Sequence, residues 1–205
     1  MSRLTIEQDD LAILIIDVQP HFLDGWMAGS TDVLLSRIQH LIGLAVAYDL
    51  PIAATFEQPV EKKGWLPAKL DAIFPQSGLR MTKNTFNCCG EMAIVSALQS
   101  MSRSQFAIAG GETDVCVLQS VLGLIQNGYQ VFLLVDCLFS EEPNTGPAIR
   151  RMERAGAIPS TVKTLAYELR LSVERPAEKT ILGAIADPSI PVGDPEELPP
   201  WQSGS

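Results

Sequence analysis

The chain has 205 residues, 46% of them hydrophobic and 19% charged, with a net charge of -9. That suits a single globular domain with a full core, and its acidic balance argues against nucleic-acid or anionic-membrane partners. No window reaches the ~18 uninterrupted apolar residues of a spanning helix, and the opening MSRLTIEQDD has acids and no apolar signal core, so a cytoplasmic address is expected.

Leu11–Asp17 (LAILIID) is a continuous apolar run that ends in an acid. Runs of this kind are strands covered on both faces, as in parallel sheets. Pro51–Phe56, Gln105–Ala109 and Gln130–Asp136 repeat it, and Arg80–Lys83 and Ala157–Ser160 are shorter candidates. Helical periodicity lies between them over Asp32–Tyr48, Glu91–Met101, Asp114–Asn127 and Thr145–Ala155. Asp32 is the expected cap of the first, and Gly128 and Gly156 follow two of the others in C′ positions. The alternation predicts a three-layer α/β/α domain around a mainly parallel sheet. Glu57–Gly78, with three prolines and two glycines, is a long connection of the functional kind. The domain is expected over 1–186, with a Pro-rich arm over 187–205.

There is no phosphate loop, no G-x-G-x-x-G and no H-E-x-x-H, and only two histidines, His21 and His40. Dinucleotide binding and a dedicated zinc site therefore lack support, and no cofactor is expected. The four cysteines, Cys88, Cys89, Cys116 and Cys137, are expected as free thiols.

Ligands of open α/β sheets bind beyond the carboxyl ends of the strands. Asp17, Lys83 and Asp136 stand at such ends, and Cys116 opens the helix after Gly110-Gly111. A helix N-terminus lowers a thiol's pKa and offers N–H groups to an oxyanion. Position alone leaves Cys116 open between a nucleophile and an inert core thiol. Asp17 fits a proton shuttle or a loop cap, Lys83 a partner for Asp17 or a solvated lysine, and Asp136 a loop-orienting role. His21 is a minor candidate for a base.

LAILIIDVQPHF, RMTKNTF and GGETDVCV, in this order and spacing, resemble the isochorismatase-like cysteine hydrolases, from about Leu11 to about Leu169. The resemblance implies a six-stranded, mainly parallel sheet and a catalytic triad of Asp17, Lys83 and Cys116. It also implies a non-proline cis peptide at Gly111–Glu112, with the N–H groups of Glu112 and Cys116 as an oxyanion hole. The implied reaction is hydrolysis of an amide or carbamoyl C–N bond of a small molecule through a thioester, in a homo-oligomer. Nicotinamidases of the family bind a metal through Asp-x-His and a further His after the second strand. Here that region reads TFEQP, with Glu57 and no histidine, so no catalytic metal is expected. True isochorismatases lack the cysteine.

Phe22, Trp26, Glu57 and Phe86 are candidates for the pocket wall, and Glu57–Gly78 and Ser140–Thr145 for specificity loops. Glu112 is expected to point away from the sulfur, because its charge there would oppose a thiolate. The competing readings are a non-catalytic oligomeric scaffold or binding member, and a redox-sensing thiol protein.

Overall fold

The computed structural model describes residues 4–24 and 29–172. The Pro-rich arm and Trp26 lie outside the described residues. Six strands form one parallel sheet: β1 (Leu11–Ile16), β2 (Ile52–Glu57), β3 (Leu79–Lys83), β4 (Gln105–Gly110), β5 (Gln130–Leu138) and β6 (Ile158–Ser160). Their spatial order is β3-β2-β1-β4-β5-β6. The chain builds outward from β1 in one direction, returns, and builds outward from β4 in the other. The reversal falls between β1 and β4, and in open sheets of this kind ligands bind beyond the carboxyl ends of the strands at that point.

Every residue of β1 is fully buried, and the two sets of alternating side chains serve different cores. Leu11, Ile13 and Ile15 pack with α2 (Thr31–Ala47) and α8 (Val162–Arg170). Ala12, Leu14 and Ile16 pack with α5 (Met92–Ser100), α6 (Leu118–Gln126) and α7 (Gly146–Ala155). The unbroken apolar run follows from having helices on both faces. Pro159 is tolerated because β6 is an edge strand.

All six expected strands and four expected helices are present, with ends displaced by a few residues. Three local details differ. The cap of α2 is Ser30, whose hydroxyl accepts from Val33 N–H at 3.4 Å, and Asp32 lies in the first turn. The expected helix from Asp114 starts as one wide π turn, Thr113–Val117, before α6. The long connection holds two short helices, α3 (Val60–Lys63) and α4 (Ala68–Asp71); another short helix, α1 (Pro20–Leu23), follows β1.

Asp136, expected to orient a loop, instead bonds two helices. Its carboxylate takes Arg37 from α2 at 2.6 Å and the Val162 N–H that opens α8 at 3.1 Å. It thereby joins two helices to β5 from inside the sheet's end.

Candidate active site

Asp17, the residue after β1, is fully buried with φ of 50°, a left-handed conformation that Asp adopts more readily than most residues. Continued strand alternation would send its side chain toward α2, behind Ile13 and Ile15. The turn sends it to the other face, where Thr55 Oγ1 donates to Oδ1 at 3.1 Å and Lys83 Nζ lies 2.6 Å from Oδ2. Thr55 is the register partner of Ile16, and Glu57 that of Lys83. Thr55 and Glu57 are two apart on β2 and so share a face of the sheet.

Cys116 reaches the cluster from β4. Gly110 has φ of 122°, and a Cβ there would lie 1.9 Å from the Ile16 carbonyl oxygen. A Cβ on Gly111 would meet the Phe139 ring at 2.5 Å. The glycine pair thus lets the chain pass between β1 and β5 before the π turn that carries the cysteine. The Gly111–Glu112 peptide bond is cis. The Gly111 N–H donates to Ile16 O, Thr113 N–H to Phe139 O, and the Val115 and Val117 N–H groups to Glu112 O. The amides of Glu112 and Cys116 stand outside these four bonds.

Cys116 is 4% exposed, with its sulfur 3.5 Å from Lys83 Nζ and 3.4 Å from Glu57 Oε2, to which the thiol donates. Lys83 is fully buried at the centre of the group, against Asp17 and Cys116. Three of the residues singled out in the sequence are therefore in direct contact, brought from the ends of β1, β3 and β4.

The electrostatics differ from the sequence expectation in one respect. A thiol at a helix N-terminus should be acidified, but burial pushes the Cys116 thiol well above its ordinary value, and the Asp17 charge adds to that against the opposing pull of Lys83. The resting sulfur is held as a thiol, and any reaction through it would require a base. Burial also raises the Asp17 carboxyl, with Lys83 opposing. Burial disfavours the charge on Lys83, but Asp17, Cys116 and Glu57 outweigh it and the ammonium is held above its usual range. Burial likewise works to raise Glu57. The Lys63 hydrogen bond, the thiol and the two ammonium groups prevail, and the carboxyl sits below its usual range.

Glu57 faces the sulfur with Oε2 and pairs with Lys63 of α3 through Oε1. Its backbone is fixed by Gln19, which accepts from Glu57 N–H at 2.7 Å and donates to Glu57 O at 3.2 Å and Gly64 O at 2.7 Å. Phe22 is buried in the core, its ring centroid 5.5 Å from Lys63 Nζ. Phe86 is 51% exposed, and its carbonyl accepts from Ser120 Oγ. Glu112 turns toward the loop after β5, where Oε1 accepts from Glu141 N–H at 3.1 Å.

Asp17, Glu57 and Cys116 place donor atoms within 4.8 Å of one another, the spacing of a metal-ligand set. The positive charge among them is already supplied by Lys83. The TFEQP segment adds no imidazole to the set.

Thr55, Lys63 and Gln19 complete the site. Gln19 stood in the sequence within LAILIIDVQPHF with no role attached, and the other two had no signal. Thr55 is found only through the strand register, and Lys63 is one of two adjacent lysines that sequence does not tell apart.

The Isochorismatase domain model matches residues 11–164. The chain belongs to the isochorismatase family and is a hydrolase. The probable hydrolase YcaC of Escherichia coli is 28% identical over 165 residues, covering 80% of this chain and 79% of that protein. Isochorismatase domain-containing protein 2B of Mus musculus is 30% identical over 153 residues, 70% of each chain. Among solved structures, E. coli YcaC, an octameric hydrolase of unknown specificity, matches with a TM-score of 0.82 at 26% identity, covering 93% of this chain and 94% of its own. YcaC of Pseudomonas aeruginosa, with hexane-2,5-diol and covalent acrylamide, matches with a TM-score of 0.80 at 26% identity, covering 90% and 91%.

Proposed function

We propose that this chain is a cysteine hydrolase that cleaves an amide or carbamoyl C–N bond of a small molecule, without a metal, through a thioester on Cys116. The observation that carries this reading is the contact chain Cys116 Sγ–Lys83 Nζ–Asp17 Oδ2, at 3.5 and 2.6 Å, assembled from three strand ends at the sheet's reversal. The thiol proton passes to Asp17, whose raised pKa suits a group that must both take and return a proton near neutrality. The thiolate attacks the carbonyl carbon, and the oxyanion is received by the N–H groups of Glu112 and Cys116. Asp17 then protonates the leaving nitrogen as the C–N bond breaks. A water gives its proton to Asp17 and its oxygen to the acyl carbon; the thioester opens and the proton returns to sulfur. Lys83 offsets the negative charge that Asp17 and the sulfur exchange during these steps.

The test is ammonia release from a panel of small primary amides and carbamoyl compounds, with trapping of the acyl-enzyme by mass. A substrate that gives ammonia and an acyl adduct on Cys116 supports the scheme. Turnover with the adduct on another residue overturns it. By analogy with octameric E. coli YcaC we also expect a homo-oligomer. A solution mass of one 22.3 kDa chain by light scattering would refute the assembly.

A further inference from the structure

Glu57 has no step in the scheme above, yet it accepts a hydrogen bond from the reacting atom, to which Lys83 also donates. Its Oε2 accepts the thiol hydrogen at 3.4 Å, and Lys63 holds the other oxygen. Asp17 is fully buried, with Thr55 and Lys83 already against its oxygens. The Glu57 side chain keeps 16% exposure, so an entering molecule can touch this carboxylate directly.

When the thiol loses its proton, Oε2 loses its donor and faces a sulfur of like charge. The resting hydrogen bond and this repulsion both hold Cys116 as a thiol. An N–H of the substrate placed on Oε2 replaces the lost donor and offsets the repulsion. An ester oxygen in the same place has no hydrogen to give.

Resting on the reading of Cys116 as a nucleophile, we infer that Glu57 is a specificity-determining residue. It permits thiol activation by molecules that carry an N–H donor beside the reactive carbonyl and disfavours it for their ester counterparts. Lys63 is a positioning residue that acts through Glu57.

Acrylamide and methyl acrylate form a matched pair of probes, alike except that one carries NH2 where the other carries OCH3. In both, sulfur bonds to the β-carbon and the thiol proton ends on the α-carbon, with no leaving group and no oxidant. Labelling of Cys116 in the full chain is followed by peptide mass, and each rate is divided by that of N-acetylcysteine with the same probe. The acrylamide-to-methyl-acrylate ratio of the native protein should exceed that of the free thiol by on the order of tenfold, the size of a hydrogen bond to a charged acceptor.

Glu57→Gln should bring the ratio to within about twofold of the free thiol while speeding methyl acrylate labelling, since a negative charge beside the sulfur is removed. Lys63→Met, which keeps Glu57 and strips its counter-charge, should slow methyl acrylate. These shifts of opposite sign would not come from a packing defect. A native ratio equal to that of the free thiol overturns the proposal. So does a Glu57→Gln protein in which both probes slow alike. If neither probe labels Cys116 while the half-exposed Cys89 is labelled, the nucleophile reading fails and this proposal falls with it.

Discussion

Cys116→Ala is expected to abolish ammonia release from any substrate that the native protein turns over, a loss of roughly 10^4-fold or more. Cys116→Ser should fare little better. The surroundings that raise the thiol well above its ordinary value act equally against an alkoxide, which starts from a far weaker acid. Both variants should fold, because the side chain is small and its contacts to Lys83 and Glu57 are polar ones that those two residues also make elsewhere. The check is steady-state ammonia release beside thermal unfolding of each variant. Turnover by Cys116→Ala within tenfold of native would remove covalent catalysis from the account. Because the resting thiol is raised, labelling without substrate should also keep accelerating with pH across the ordinary thiol range.

Lys83→Met should cost about 3–5 kcal/mol of stability at neutral pH, the scale for removing one partner of a buried ion pair. Asp17 would remain fully buried with Thr55 as its surviving donor. The pairing of Lys83, whose folded pKa is raised, contributes stability that is fully present below the ordinary lysine range and lost as pH rises through the folded value. Asp17 is also raised, so its own contribution favours the folded state at low pH and fades as pH rises through its folded value. With the ammonium gone that value moves higher still. The deficit of Lys83→Met should therefore shrink on acidification, as Asp17 takes up a proton. Urea denaturation at neutral and mildly acidic pH measures this. A companion Asp17→Asn/Lys83→Met should recover much of the loss, and a double variant no more stable than Lys83→Met would contradict a charge-pair origin.

Much of the fold could be read from the chain because burial on two faces leaves a plain mark. LAILIID, apolar at every position before its acid, reads as a strand covered on both faces, with the acid falling at its end. The elements that escaped were those without such a mark. Helix α8 buries three residues, Val162, Leu165 and Leu169, amid polar neighbours, and its start is set by Thr161 and by Asp136 from a distant strand. The wide turn at Thr113–Val117 is shaped by contacts with Ile16 and Phe139, which local propensity does not record.

The same division applies to the site. Asp17, Lys83 and Cys116 were visible as polar residues at strand ends, within motifs that resemble one family. Their contact is a product of strand order. The elevated thiol was not legible, because the helix-terminus argument counts fixed dipoles and not the burial that opposes them. Glu57 was marked as a pocket candidate. Its bond to the sulfur depends on its register with Lys83 and its pairing with Lys63.

Gln19 has a consequence for how this enzyme can diversify. Its side chain ties the segment after β1 to Glu57 at one end and to Gly64 at the other. The stretch between them, α3 included, is thereby coupled to the segment that carries Asp17. Changes there that suit a new ligand will also disturb Asp17. Past Gly64 the hold of Gln19 ends; Leu66, Leu70 and Phe74 remain fixed by burial in the core, and the exposed positions between them are the ones left to vary. New specificities should arise at those outer positions of the connection, while the inner half stays tied to Asp17 and Glu57.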